Sequence, residues 1–243
     1  IDINDSTALF NSFTQENYLN THGIGFNLKM GFLAIPHKNI RLSVAFHTPT
    51  LLRLSDSYIN ILNSDFTTFT FDAESPEGAF DYKVVTPWKL QTGASFVHPN
   101  FGLIGIEYEL SNPSKAKFKF DDNDPSSKIL EADLNQNIAQ KYDWSQTIKV
   151  GLESKWKNMR FRAGMQAQSS PFSDVFKPKT DKNFNFLYSG GLGYKGKKFS
   201  IDAAYARGKQ TSTFVPYSRN SDTPIAAIEN IQQNITISVG YKF

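Results

Sequence analysis

The 243-residue chain contains no cysteine, which excludes disulfides and thiolate metal sites. No stretch approaches the roughly 18 consecutive apolar residues that a membrane-spanning helix needs. The net charge of +3 is too small to argue for nucleic acid, and no basic cluster with interleaved aromatics occurs. Neither a phosphate-binding glycine loop nor a nucleophile elbow is present. Aromatics, by contrast, make up 14% of a chain whose mean hydropathy is −0.40. That combination suits a lipid-facing band around a wet interior better than a packed globule. A bilayer admits only helices and closed barrels, so any membrane reading of this chain is a barrel.

What the chain does have is alternation. From Ile235 to Phe243 the odd positions are apolar or aromatic and the even ones small, polar or charged. This is a strand with one apolar and one wet face, ending on an aromatic residue. Eight earlier segments repeat the pattern: 24–34, 40–46, 80–96, 104–110, 144–156, 159–167, 184–194 and 199–205. Their connections alternate too. Short turns fall near 36–39, 98–100, 157–158 and 195–198; long loops fall at 48–79, 112–141, 169–182 and 208–230. The expected fold is therefore all-β, an antiparallel transmembrane β-barrel over 1–243 with short periplasmic turns and long extracellular loops. Nine crossings is an odd count. An even-numbered barrel would need strands preceding Ile1, or a tenth within 1–20. A soluble β-sandwich is the remaining reading.

The excursion 48–79 reads as strands rising above the membrane, with a β-like run at Phe66–Phe71 and a turn at Ser75–Gly78. Ile129, Leu130, Leu134 and Ile138 follow the start signal Asp124-Pro125-Ser126-Ser127 and predict a short amphipathic helix on the extracellular rim. Leu9, Phe10 and Phe13 leave 1–20 open between strand and loop helix.

The wet faces carry the candidate lumen-lining charges Arg41, Lys83, Lys89, Glu107, Glu109, Lys149, Glu153, Arg160 and Arg162, with Lys29 and Asp202 beside them. Such charges either handle a polar head group or simply pair across a polar interior. Arg160 and Arg162 are the strongest binding candidates, because a guanidinium forks onto a carboxylate. His22, His37, His47 and His98 lack the spacing for haem or metal, so no cofactor and no metal site is expected. Ser43 and His47 share a strand face but lie roughly 13 Å apart at about 3.3 Å per residue, too far for a nucleophile and its base. No catalytic residue is expected and the chain reads as a non-enzyme. Tyr188, Tyr194, Tyr205, Tyr241, Trp88, Trp144 and Trp156 read as membrane-interface girdle residues.

The stretches GIGFNLKMGFLAIPHKNIRLSVAFHTPT (23–50), TPWKLQTGASFVHPNFGLIGIEYE (86–109) and IKVGLESKWKNMRFRAGMQAQSSPFSD (148–174), with the last strand, resemble the FadL/TodX family of outer-membrane hydrophobic-compound transporters, in its Bacteroidetes branch. The resemblance spans roughly residues 20–243. It implies the C-terminal portion of a fourteen-stranded barrel, without the family's N-terminal hatch and early strands. It further implies a Gram-negative cell outer membrane, contact with outer-membrane lipid, and passage of long-chain fatty acids or aromatic compounds. The alternative it leaves open is a non-transporting receptor or accessory subunit of a secretion or nutrient-uptake complex. Nucleic acid is not an expected partner.

Overall fold

The computed structural model describes residues 10–67, 69–120, 125–175, 184–214 and 226–242. In chain order its strands are β1 (Phe10–Phe26), β2 (Lys29–His37), β3 (Ile40–His47), β4 (Leu51–Phe66), β5 (Thr70–Glu74), β6 (Gly78–Val85), β7 (Lys89–His98), β8 (Gly102–Ser111) and β9 (Lys117–Lys119). Helix α1 (Pro125–Lys141) follows, then β10 (Ser145–Trp156), β11 (Met159–Ser169), β12 (Phe184–Lys195), β13 (Phe199–Phe214) and β14 (Ala226–Tyr241). All pairings are antiparallel.

Nine strands form one sheet in the order β14-β13-β12-β11-β10-β8-β7-β3-β2. They correspond to the nine alternating segments of the sequence, except that 24–34 takes in the end of β1 and 80–96 takes in β6, and the four short turns fall where expected. The register keeps like with like. Val150 lies opposite Ile106 and Met165, while its neighbour Lys149 lies opposite Glu107 and Gln166. One face of the sheet is thereby apolar and the other polar. Among the described residues no apolar side chain is buried; Phe161 is 41% exposed, Ile201 43% and Val239 74%. A soluble sandwich needs a core, and the described residues contain none. The apolar face requires an apolar solvent instead.

The apolar band is slanted. One rung passes in turn through Ala94, Ile106, Val150, Met165, Tyr188, Arg207 and Gln233. It starts inside β7's apolar run, yet ends short of Ile235, where the run of β14 begins. The band has slipped by about five residues over about six strand steps. At about 3.3 Å per residue and about 4.8 Å per strand that is a slant of about 30°. Outer-membrane barrels tilt their strands by about 35–45°. On β10 the band is bracketed by Trp144 and Trp156. The strand between them is about 40 Å long, which at such a tilt spans about 30 Å of depth, the thickness of a hydrocarbon core. Trp88 joins the first bracket, 5.9 Å from Trp144 and 6.0 Å from Phe46. Tyr194 and Phe199, 5.5 Å apart, mark the second bracket on the neighbouring strands.

At the end away from the tight turns the ladder is interrupted. Thr48-Pro49-Thr50 separates β3 from β4, Thr86-Pro87-Trp88 separates β6 from β7, and Asn112-Pro113 follows β8. Proline has no N–H to give a neighbouring strand, so the sheet cannot pass through these positions unbroken. Threonine hydroxyls fill in: the amide of Thr50 donates to Thr86 Oγ1 at 2.9 Å, and that of Leu28 to Thr48 Oγ1 at 2.9 Å. Beyond the break the same hairpins continue as a second sheet, β1-β4-β6-β9, with β5 on β4.

This second sheet corrects several expectations. Residues 80–96 are not one crossing but β6 and β7, so Lys83 lies in the second sheet, outside the crossing strands. Phe10 and Phe13 belong to a strand, not a helix; β1 pairs with β4 along its length but shows no alternation, because neither face there needs to be apolar. Phe66–Phe71 holds the connection between β4 and β5, with Phe66 and Phe69 stacked at 4.5 Å. Much of 208–230 is strand, since β13 runs to Phe214 and β14 starts at Ala226. The helix is present but is not amphipathic: Ile129 is 67% exposed. Its ties to the sheet are polar, from Asn135 to both backbone groups of Phe118 and from Glu131 to the Phe120 amide. Asp124 of its start signal lies outside the described residues.

Candidate functional site

The polar face of the nine-stranded sheet carries eight of the nine candidate charges, all but Lys83. Cross-strand register brings most of them together. Lys149 Nζ donates to Glu107 Oε1 at 2.7 Å, and Lys89 Nζ reaches Glu109 Oε1 at 3.4 Å while Gln91 donates to Glu109 Oε2 at 2.7 Å. Nearer the tight turns, Glu153 accepts from Arg160 at 2.7 Å through one oxygen and from Arg162 at 2.6 Å through the other. Arg162 then donates its Nη1 to Asp202 of β13 at 2.6 Å. To do so it passes over β12, which presents only Gly191 and Gly193 on that rung pair. A Cβ at Gly193 would strike Asp202 Oδ1 and stand 3.3 Å from Arg162 Nη1. Arg41 has no ion pair among the described residues.

Between the two charged groups lies a smooth rung. Ser95, Gly105, Gly151, Gly164 and Ser189 sit opposite one another on five successive strands. They floor an open cavity of ≈ 610 Å³ that reaches from Arg41 to Arg162 and Ala204. A Cβ at Gly151 would meet nothing within 4 Å, so that glycine is not required by packing within the wall. The arrangement can hold an apolar body against small side chains with charged groups on either side. Sequence reasoning found the charges but not this rung, which appears only when the strands are aligned.

Two of the histidines serve the backbone. His37 Nδ1 accepts from the Asn39 amide and His98 Nδ1 from the Asn100 amide, each at 3.3 Å, in the two tight turns. His22 pairs with Asn20 at 3.1 Å. Among the described residues no group of His, Asp and Glu could hold a metal ion. Ser43 and His47 stay on one strand, as their spacing requires.

A nine-stranded antiparallel wall, apolar on one side and charged on the other, interrupted by prolines where it leaves the lipid band, has the architecture of a transmembrane β-barrel wall. The solved structure of the CymD monoaromatic hydrocarbon channel is similar to it, with a TM-score of 0.51 and 14% sequence identity. The match covers 93% of this chain and 56% of that one, so the chain spans little more than half the channel's length. At that identity the likeness shows the fold. No family model and no curated protein sequence matches the chain.

Proposed function

We propose that the chain is wall and outer mouth of a FadL/TodX-type channel that admits hydrophobic small molecules, aromatic compounds or long-chain fatty acids, through a Gram-negative outer membrane. The carrying observation is the smooth glycine–serine rung on the polar face of a sheet whose other face is mostly apolar. An apolar solute lying along this rung meets only glycine and serine side chains, with the paired charges on either side of it. Arg41, Lys89, Glu107, Glu109, Lys149, Glu153, Arg160 and Arg162 would then line the lumen. No enzymatic step is involved.

That the wall belongs to a larger barrel has its own support. Among the described residues β2 and β14 each pair on one side only. In hydrocarbon their free N–H and C=O rows need further strands. The Bacteroidetes branch rests on the quoted sequence stretches alone.

The competing reading, a receptor or accessory subunit of an outer-membrane complex, is favoured by the extracellular sheet, whose Phe69 and Phe71 are exposed. One experiment separates the two. Liposomes carrying the full-length protein should take up radiolabelled toluene or palmitate faster than empty liposomes. Equal rates would remove the channel reading and leave the receptor.

A further inference from the structure

Resting on that channel reading, the structure assigns a second site in the extracellular sheet. We propose that Arg53, Lys83 and Lys119 bind the carboxylate of a small organic acid at the channel's outer mouth. The three lie opposite one another on a single rung, Arg53 on β4 facing Lys83 on β6, and Lys83 facing Lys119 on β9. Like charges directly opposed across a ladder destabilise it. On the crossing strands Lys89, Lys149, Arg160 and Arg162 each meet a carboxylate and Arg41 stands alone, whereas here three neighbouring cations on one rung meet none among the described residues. A row of unopposed cations that weakens its own sheet is accounted for if an anion seats on it.

The surroundings define the rest of the ligand. Two open clefts, ≈ 860 and ≈ 630 Å³, meet at the rung and share Ile24 and Phe120 with it. The smaller runs toward the break in the sheet along Phe26, Leu51 and Val85, which is apolar. Among the described residues two acids line the clefts. Asp81 lies on β6 with no ion pair among the described residues, and Glu131 of α1 is occupied by the Phe120 amide at 2.9 Å. His22 adds a further ring. Among the described residues, cations therefore exceed acids where the clefts meet. The fitting ligand has one carboxylate and a compact apolar body laid toward the barrel, an aromatic or short aliphatic acid.

The test compares benzoate with toluene, which share a ring and differ by the carboxylate, using the full-length protein in detergent and in liposomes. Calorimetry should show benzoate binding that weakens about tenfold in Arg53→Gln and in Lys83→Gln, the loss of one charge-assisted contact. Lys83→Arg should retain it, and Lys197→Gln in a distant turn should change nothing. Wild-type affinity for benzoate should also fall as sodium chloride rises. Toluene uptake should be the same in every variant, which certifies folding and keeps the channel reading separate. Benzoate binding that is absent, indifferent to the Gln substitutions and to salt, or displaced equally well by inorganic phosphate overturns the proposal. If toluene uptake fails in the wild type, the channel reading falls and the calorimetry alone decides the site.

Discussion

Arg162 on β11 reaches Asp202 on β13, 2.6 Å away, by crossing the bare backbone of Gly193 on the strand between them. A pair two strands apart is normally screened by the side chain in the middle. Here the middle strand has none, and the ion pair ties three strands together from the polar side.

The consequence is a matched set of mutants. Gly193→Ala forces Asp202 off Arg162 because the new methyl occupies its oxygen's place. Both charges are partly exposed, so the loss is modest, about 1 kcal/mol in urea unfolding from detergent. Asp202→Asn should cost about the same, again about 1 kcal/mol. The double variant should cost no more than either single one. Additive losses would mean that Gly193 matters for some other reason.

Glu153 is the less replaceable partner. It holds Arg160 and Arg162 at once and is the least exposed member of the network. Glu153→Gln leaves two guanidiniums side by side, and should cost about 2 kcal/mol, more than Asp202→Asn. In planar bilayers the full-length Glu153→Gln protein should also shift its reversal potential toward anion preference. An unchanged potential would place Glu153 away from the conducting path.

The turn Lys157–Asn158 carries a small liability. Lys157 is the one non-glycine residue with positive φ among the described residues, at 52°, with its Nζ 5.4 Å above the Trp156 ring. A first turn position of that sign favours glycine. Lys157→Gly should stabilise the protein by up to about 1 kcal/mol, less whatever the ring contact supplies. Destabilisation would show that the cation–ring contact outweighs the backbone preference.

How much of this was legible in the sequence divides along the membrane boundary. Where one face meets lipid, the period-two pattern is imposed on every residue, and strands such as β3, β10 and β11 are legible to within about two residues. Above the boundary both faces meet water, the constraint lapses, and β1 gave no alternation to read. The Thr-Pro repeats at 48–50 and 86–88 were the available sign that two segments break together, and overlooking it placed Lys83 in the lumen. Arg162 was singled out for its chemistry, but its partner across Gly193 depends on register. So does the cation rung, whose members lie far apart in the chain and meet only after β4, β6 and β9 are aligned.

The central claim is that the apolar face touches lipid, and substitution cost should reflect it. Val239→Lys should reduce folding into liposomes by about 2–4 kcal/mol if it sits near the midplane. Ser189→Lys, on the other face, should be tolerated within about 1 kcal/mol. Equal costs would mean that the two faces share one environment.

The most direct measurement uses the absence of cysteine, which allows spin labels at single introduced thiols. In bilayers, labels at Phe161, Ile201 and Val239 should collide readily with dissolved oxygen and hardly at all with a water-soluble nickel chelate. Labels at Ser189 and Thr236 should do the reverse. If the two sets respond alike, or if oxygen favours Ser189 and Thr236, the wall is not oriented as described and the channel has no basis.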